Sequence, residues 1–180
     1  QSYAQWSEQI LAASQRGQRK EHASAFHHRI DTLEAAQEVD EALLEQLQQL
    51  WARYLEQAAE RGLTENQPGR HLRPDKLEHS PVLRFVPLPE SLSGSPIYQR
   101  CRERFAAYQQ DVIKPFYRDV FSKMDRQLVL VDVLRVLELG EEVFNDMQTS
   151  LSRVLKSFNY GKGGLLSWLT GVRTTKVLFA

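Results

Sequence analysis

Cysteine is nearly absent from this chain: Cys101 stands alone among 180 residues. A single thiol excludes any intramolecular disulfide and any zinc ribbon, and fits a reducing compartment. Long apolar runs are absent too. No stretch approaches the roughly 20 residues that span a bilayer, which excludes a transmembrane helix on length. Net charge is zero, with 23 basic and 23 acidic side chains. The chain therefore has no global pull toward nucleic acid or anionic lipid. Asp-x-x-Gly occurs nowhere, and neither does Asn/Thr-Lys-x-Asp. Gly161-Lys162-Gly163-Gly164 has the look of a phosphate loop. Its setting is wrong, because an apolar helix precedes the glycines and no hydroxyl residue follows Lys162. A glycine-rich connection is the better reading.

What is present is mostly helical in pattern. Tyr3, Trp6, Ile10 and Ala13 recur at helical spacing, and Gly17 interrupts them. Residues 14–29 are polar and rich in histidine, which predicts a loop or an exposed helix. His22, His27 and His28 lack the spacing of a helical metal site and read as surface histidines, so no metal is expected. Val39, Leu43, Leu44, Leu47, Leu50, Trp51, Tyr54, Leu55 and Ala58 form one apolar stripe, and Gly62 stands where a C-terminal cap glycine belongs. Prolines and glycines then crowd residues 63–95. Only 82–86 reads as a strand there, at an edge, because flanking prolines cannot donate to a ladder. Ser95-Pro96 is a helix start, and Pro115 should kink that helix or begin another.

The last third reads differently. Residues 128–133 and 176–180 are apolar strand runs, with an amphipathic helix over about 141–158 between them. This is a β-α-β crossover, the unit of parallel sheets. The expected fold class is therefore α/β, with a parallel sheet core only partly present. The expected domains are a mainly helical segment, 1–124, with a proline-rich connection at 63–95, and a β-α-β piece, 125–180. Two short strands cannot satisfy their own backbone groups. Because the chain also begins at Gln1, the expectation is an internal piece of a larger protein.

Three residues draw attention as candidates near a ligand. Asp132 interrupts an apolar run toward its carboxyl end; it either caps a neighbouring loop or pairs with Arg126 or Arg135, or it lies near a nucleotide. Arg70 stands on a Pro68-Gly69 turn, which is either plain turn chemistry or a way to aim a guanidinium at a phosphate. Arg126 opens the first strand run.

An ordered series of segments carries a resemblance. It runs Gln67-Pro68-Gly69-Arg70, Leu83-Arg84-Phe85-Val86-Pro87-Leu88-Pro89, Arg102-Glu103-Arg104-Phe105 and Lys114-Pro115-Phe116-Tyr117. It continues through Asp125-Arg126-Gln127-Leu128-Val129-Leu130-Val131-Asp132-Val133-Leu134 and Phe144-Asn145-Asp146-Met147. It closes with Ser157-Phe158-Asn159-Tyr160-Gly161 and Lys176-Val177-Leu178-Phe179-Ala180. In this order the series resembles the YcjX-like family of bacterial stress-associated P-loop NTPases, relatives of Ras-like GTPases. The resemblance implies a cytoplasmic protein, peripheral to the inner membrane, that binds and hydrolyses GTP or ATP with Mg²⁺. The apolar turn Leu165–Leu169 suggests contact with a membrane-associated protein partner, and the balanced charge predicts no nucleic acid. The family's nucleotide motifs fall outside this sequence, so no catalytic residue is assigned here. Arg70, Asp132 and Arg126 are the nucleotide-proximal candidates. The alternative is a non-enzymatic helical module that offers the 39–58 stripe to a partner helix.

Overall fold

The computed structural model describes residues 1–34, 39–63, 65, 83–119, 126–159 and 176–179. They fall into two compact units, 1–109 and 110–180.

The first unit is helical. Helix α1 (Tyr3–Ser14) starts at a reciprocal cap, in which the Ser2 hydroxyl accepts from the Gln5 amide while the Gln5 side chain accepts from the Ser2 amide. Two short helices follow, α2 (Arg19–His22) and α3 (Ser24–Asp31), where the sequence suggested a loop or exposed helix. They are amphipathic enough to bury Ala23, Phe26 and Ile30. Helix α4 (Glu41–Glu60) is capped by Asp40, whose carboxylate accepts from Leu43 N at 2.7 Å. Its C-terminus closes as the glycine required. Gly62 has φ 79°, its amide donates to Ala59 O, and Leu63 N donates to Ala58 O. The stripe expected on α4 is buried at Leu43, Leu44, Leu47, Trp51, Tyr54 and Ala58. Trp51 packs at 4.8 Å from both Phe26 and Tyr54, so the stripe fills its own unit's core.

Of the edge strand predicted over 82–86, the described residues 83–86 form no strand. Residues 84–89 instead run as irregular backbone, yet Phe85, Val86, Pro87 and Leu88 are buried. Buried carbonyls need donors, and here side chains supply them in place of a ladder. Tyr3 donates to Val86 O at 2.7 Å, Ser7 to Leu88 O at 2.7 Å, and Arg104 to Arg84 O at 3.2 Å. Pro87 and Pro89 have no amide hydrogen to satisfy. Helix α5 (Pro96–Tyr108) begins as expected, with Pro96 in the first turn and the Ser95 hydroxyl accepting from Tyr98 N. Its Tyr98, Cys101 and Phe105 are buried, and Tyr3, Trp6, Phe85 and Phe105 form an aromatic cluster with contacting centroids 5.1 to 5.8 Å apart.

After α5 come a π-helical stretch, Gln109–Ile113, and helix α6 (Lys114–Asp119), in which Pro115 occupies the first turn. The missing proline amide costs nothing there, and the interruption ahead of it is the break that Pro115 predicted.

The second unit corrects the fold class. Strand is confined, among the described residues, to β1 (Arg126–Val129) and β2 (Lys176–Phe179), four residues each. They pair in parallel, Arg126 with Lys176 through Val129 with Phe179. Everything else described is helix or connection, so the α/β parallel-sheet core expected from the sequence is not the architecture seen: the described residues are predominantly helical. The apolar run 128–133 misled because four of its six residues, 130–133, are not strand. Asp132 caps a new helix, α7 (Val133–Glu138), and turns the chain out of the strand. Gly140, at φ 98°, ends α7, and α8 (Glu141–Asn159) follows with Glu141 and Glu142 in its first turn, as the helix dipole favours.

Candidate functional site

The strand pair sets the geometry around two of the three candidates. Because β1 and β2 are parallel and in register, their carboxyl ends lie at one edge, and Leu130, Val131 and Asp132 leave β1 there. Asp132 is exposed, and its Oδ1 accepts from the Arg135 amide at 3.0 Å. Of the two readings of Asp132, the local cap is the one the geometry displays. Arg126 is the first residue of β1, paired by backbone register with Lys176 at the opposite end of the strand from Asp132. The structure therefore does not bring Arg126 and Asp132 together at one end. Arg70, and the Gly161-Lys162-Gly163-Gly164 segment, lie outside the described residues.

Two arrangements in the first unit resemble chemistry and are structural. Ser14 Oγ lies 2.9 Å from His27 Nε2, the geometry of a nucleophile and its base. But the Ser14 hydroxyl donates to Leu11 O at 2.8 Å, so its oxygen accepts from the imidazole and no proton is available for His27 to remove. Ser14 is also fully buried. Burial lowers the His27 pKa, and the nearby Asp31 charge opposes that shift only in part. His27 is thus half-buried and partnered, not the surface histidine expected. Cys101 is fully buried, and burial pushes its thiol up, away from the nucleophilic thiolate. The neighbouring Tyr3 hydroxyl is raised well above its ordinary range for the same reason, with the Cys101 and Tyr98 charges adding to the effect.

A third cluster was invisible in the sequence. Glu41, at the start of α4, receives Arg104 from α5 and Arg84 from the 84–89 segment, the latter at 3.3 Å. The Arg104 hydrogen bond, joined by the charges of Arg104 and Arg84, holds the Glu41 carboxyl below its usual range. Arg104 also donates to Arg84 O. It therefore ties together two of the segments that carry the family resemblance, 83–89 and 102–105. Nothing in the one-dimensional spacing joins Glu41 to residues 43 and 63 positions downstream.

Among the described residues, no group of three His, Cys, Asp or Glu side chains converges as a metal site, and no helix is long and apolar enough to cross a membrane.

Comparison with known proteins adds what the geometry leaves open. The YcjX-like family, DUF463, matches residues 1–180. A protein named Ras-like GTPase YcjX from Escherichia coli is 35% identical over 190 residues, covering 100% of this chain and 41% of that protein. A protein of the same name from Shewanella oneidensis is 30% identical over 168 residues, covering 87% of this chain and 35% of that protein. The chain spans about two fifths or less of the length of these relatives.

Proposed function

The chain belongs to the YcjX-like family, and from that premise we propose that it is part of a nucleoside-triphosphate hydrolase of the Ras-like kind. The observation that carries this reading is the 35% identity to a Ras-like GTPase along the whole chain. In the proposal, residues 1–124 are a mainly helical insertion, and 125–180 adjoin the nucleotide-binding part. Phosphate and base are held by segments outside this sequence, since it contains none of the motifs that bind them. GTP or ATP with Mg²⁺ is the expected ligand, and the metal would neutralise developing charge on the phosphates. The role is a stress-associated one in the cytoplasm, peripheral to the inner membrane, beside a membrane-associated protein and without nucleic acid.

Arg70 is the candidate of this chain for reaching the γ-phosphate, with Arg126 and Asp132 behind it. An arginine supplied within the same chain accelerates hydrolysis by about 10³-fold or more. The test uses the full-length protein. Single-turnover hydrolysis of GTP and of ATP with Mg²⁺ should be measurable, and Arg70→Ala should slow it without lowering the melting temperature. Absence of hydrolysis and of micromolar nucleotide binding in the full-length protein would overturn the reading. Unchanged hydrolysis in Arg70→Ala would leave Arg70 a turn residue. The scaffold alternative loses its main support, because the α4 stripe it would offer to a partner is buried in its own unit.

A further inference from the structure

Helix α5 does not run directly into α6. Between them Gln109–Ile113 forms a π-helical turn, in which amides reach carbonyls five residues back instead of four. Such a turn holds one residue more than an α-turn. Its cause is Pro115, just beyond it in the first turn of α6. A proline has no amide to give the carbonyl four residues back, here that of Asp111, and its ring would strike that carbonyl if the α-helix ran on unbroken. A wider turn ahead of the ring removes the collision and keeps the chain helical on both sides. Prolines and π-turns are the two features at which helices bend most sharply, and here they coincide.

Packing does not fix this turn. None of its side chains is buried, and Ile113 is 41% exposed. The side-chain hydrogen bonds that touch it, Gln109 to Gln1 O at 3.1 Å and Lys114 Nζ to Gln110 Oε1 at 2.7 Å, are open to water. Helix α5, immediately before it, is held by buried Ile97, Tyr98, Cys101 and Phe105. Resistance to local opening follows buried apolar contacts, so it falls off abruptly after α5. We propose that Gln109–Ile113 is a compliant joint made by Pro115, at which the chain bends between α5 and α6. Each residue of helical phase gained or lost there turns α6 by about 100° and moves it by about 1.5 Å along its axis. A small change of hydrogen bonding in the joint is thus read out as a rotation of α6.

The test is a distance distribution across the joint in the full-length protein. Spin labels go on Glu103→Cys and Asp119→Cys, both exposed positions, about 24 Å apart if the chain between them is helical. Cys101 is fully buried and takes no label. Pulsed dipolar spectroscopy should give a broad or multi-peaked distribution for this pair. The distribution should collapse to one narrow peak when Pro115→Ala is combined with deletion of Gln110, which restores an unbroken α-helix. A narrow peak without those changes would overturn the proposal, because the bend would then be rigid. A broad distribution that survives them would also overturn it, because the motion would then lie elsewhere. If the altered protein does not fold, hydrogen exchange in the unaltered one decides. Amides of residues 110–114 should exchange about tenfold or more faster than those of 101–108, and equal protection would overturn the joint.

Discussion

The two units solve the burial problem in opposite ways. In the first, every large apolar side chain described is at least partly covered, and the fully buried ones include Trp51, Tyr54, Phe26 and Ile97. In the second, Ile113, Leu130, Val133, Leu134, Leu137, Leu139 and Phe144 are exposed. The first unit also satisfies its irregular backbone internally, through Tyr3, Ser7 and Arg104. The second leaves these side chains exposed beside a two-stranded sheet. Closure of a core is thus local to a unit, not a property of the chain's average composition, which is uniform enough to hide the difference.

Substitutions can break that contrast. The largest effect belongs to the closed core. Trp51→Ala removes a side chain wedged between Phe26 and Tyr54 and should cost about 3–5 kcal/mol in a denaturant melt. A loss under 1 kcal/mol would mean the first unit is not packed as described. Next comes the 84–89 segment. Tyr3→Phe keeps the ring and strands the buried Val86 carbonyl, at about 1–3 kcal/mol. Asp132→Ala removes only the local cap of α7, at about 1 kcal/mol, felt as faster amide exchange in α7 and not in α1–α5. Unchanged exchange in α7 would leave the cap without energetic weight.

The smallest effects are in pH. His27 has its folded pKa lowered from an ordinary 6.5 by burial. The unfolded chain then binds more protons just below that value, so stability should fall as the pH drops from 6.5 through the folded pKa. His27→Gln should flatten that slope in urea melts taken at stepped pH. Glu41 has its folded pKa lowered from 4.5 by Arg104 and Arg84. Its contribution is present above 4.5 and fades as the pH falls through the folded value; Glu41→Gln should remove that fading. Glu41 itself is half-exposed, so salt should weaken its contacts with the two arginines.

Helix starts and stops were legible where one residue type forces the backbone. Ser95-Pro96 opens α5, Gly62 closes α4, and Pro115 breaks the helix ahead of it, because capping oxygens, positive φ and a missing amide act within a turn. The α4 stripe was legible as well, since a 3.6-residue period needs no knowledge of the partner. The apolar run at 128–133 was not. Periodicity cannot divide such a run between strand and helix, and the cap at Asp132 decides the division. Nor could the sequence foresee that 84–89 would be buried without a strand partner, because its donors come from Tyr3, Ser7 and Arg104, 81 to 83 residues upstream and 20 downstream.

By itself, then, the sequence determined the elements whose causes lie within one or two turns, and, through its ordered segments, the family. Tertiary structure alone decided that β1 and β2 pair in parallel, that Glu41 collects two distant arginines, and that leucines of α7 are left exposed. Each of those depends on which residues meet across long stretches of chain. Such contacts are made only when loop-closure entropy is overcome by packing that no local segment contains.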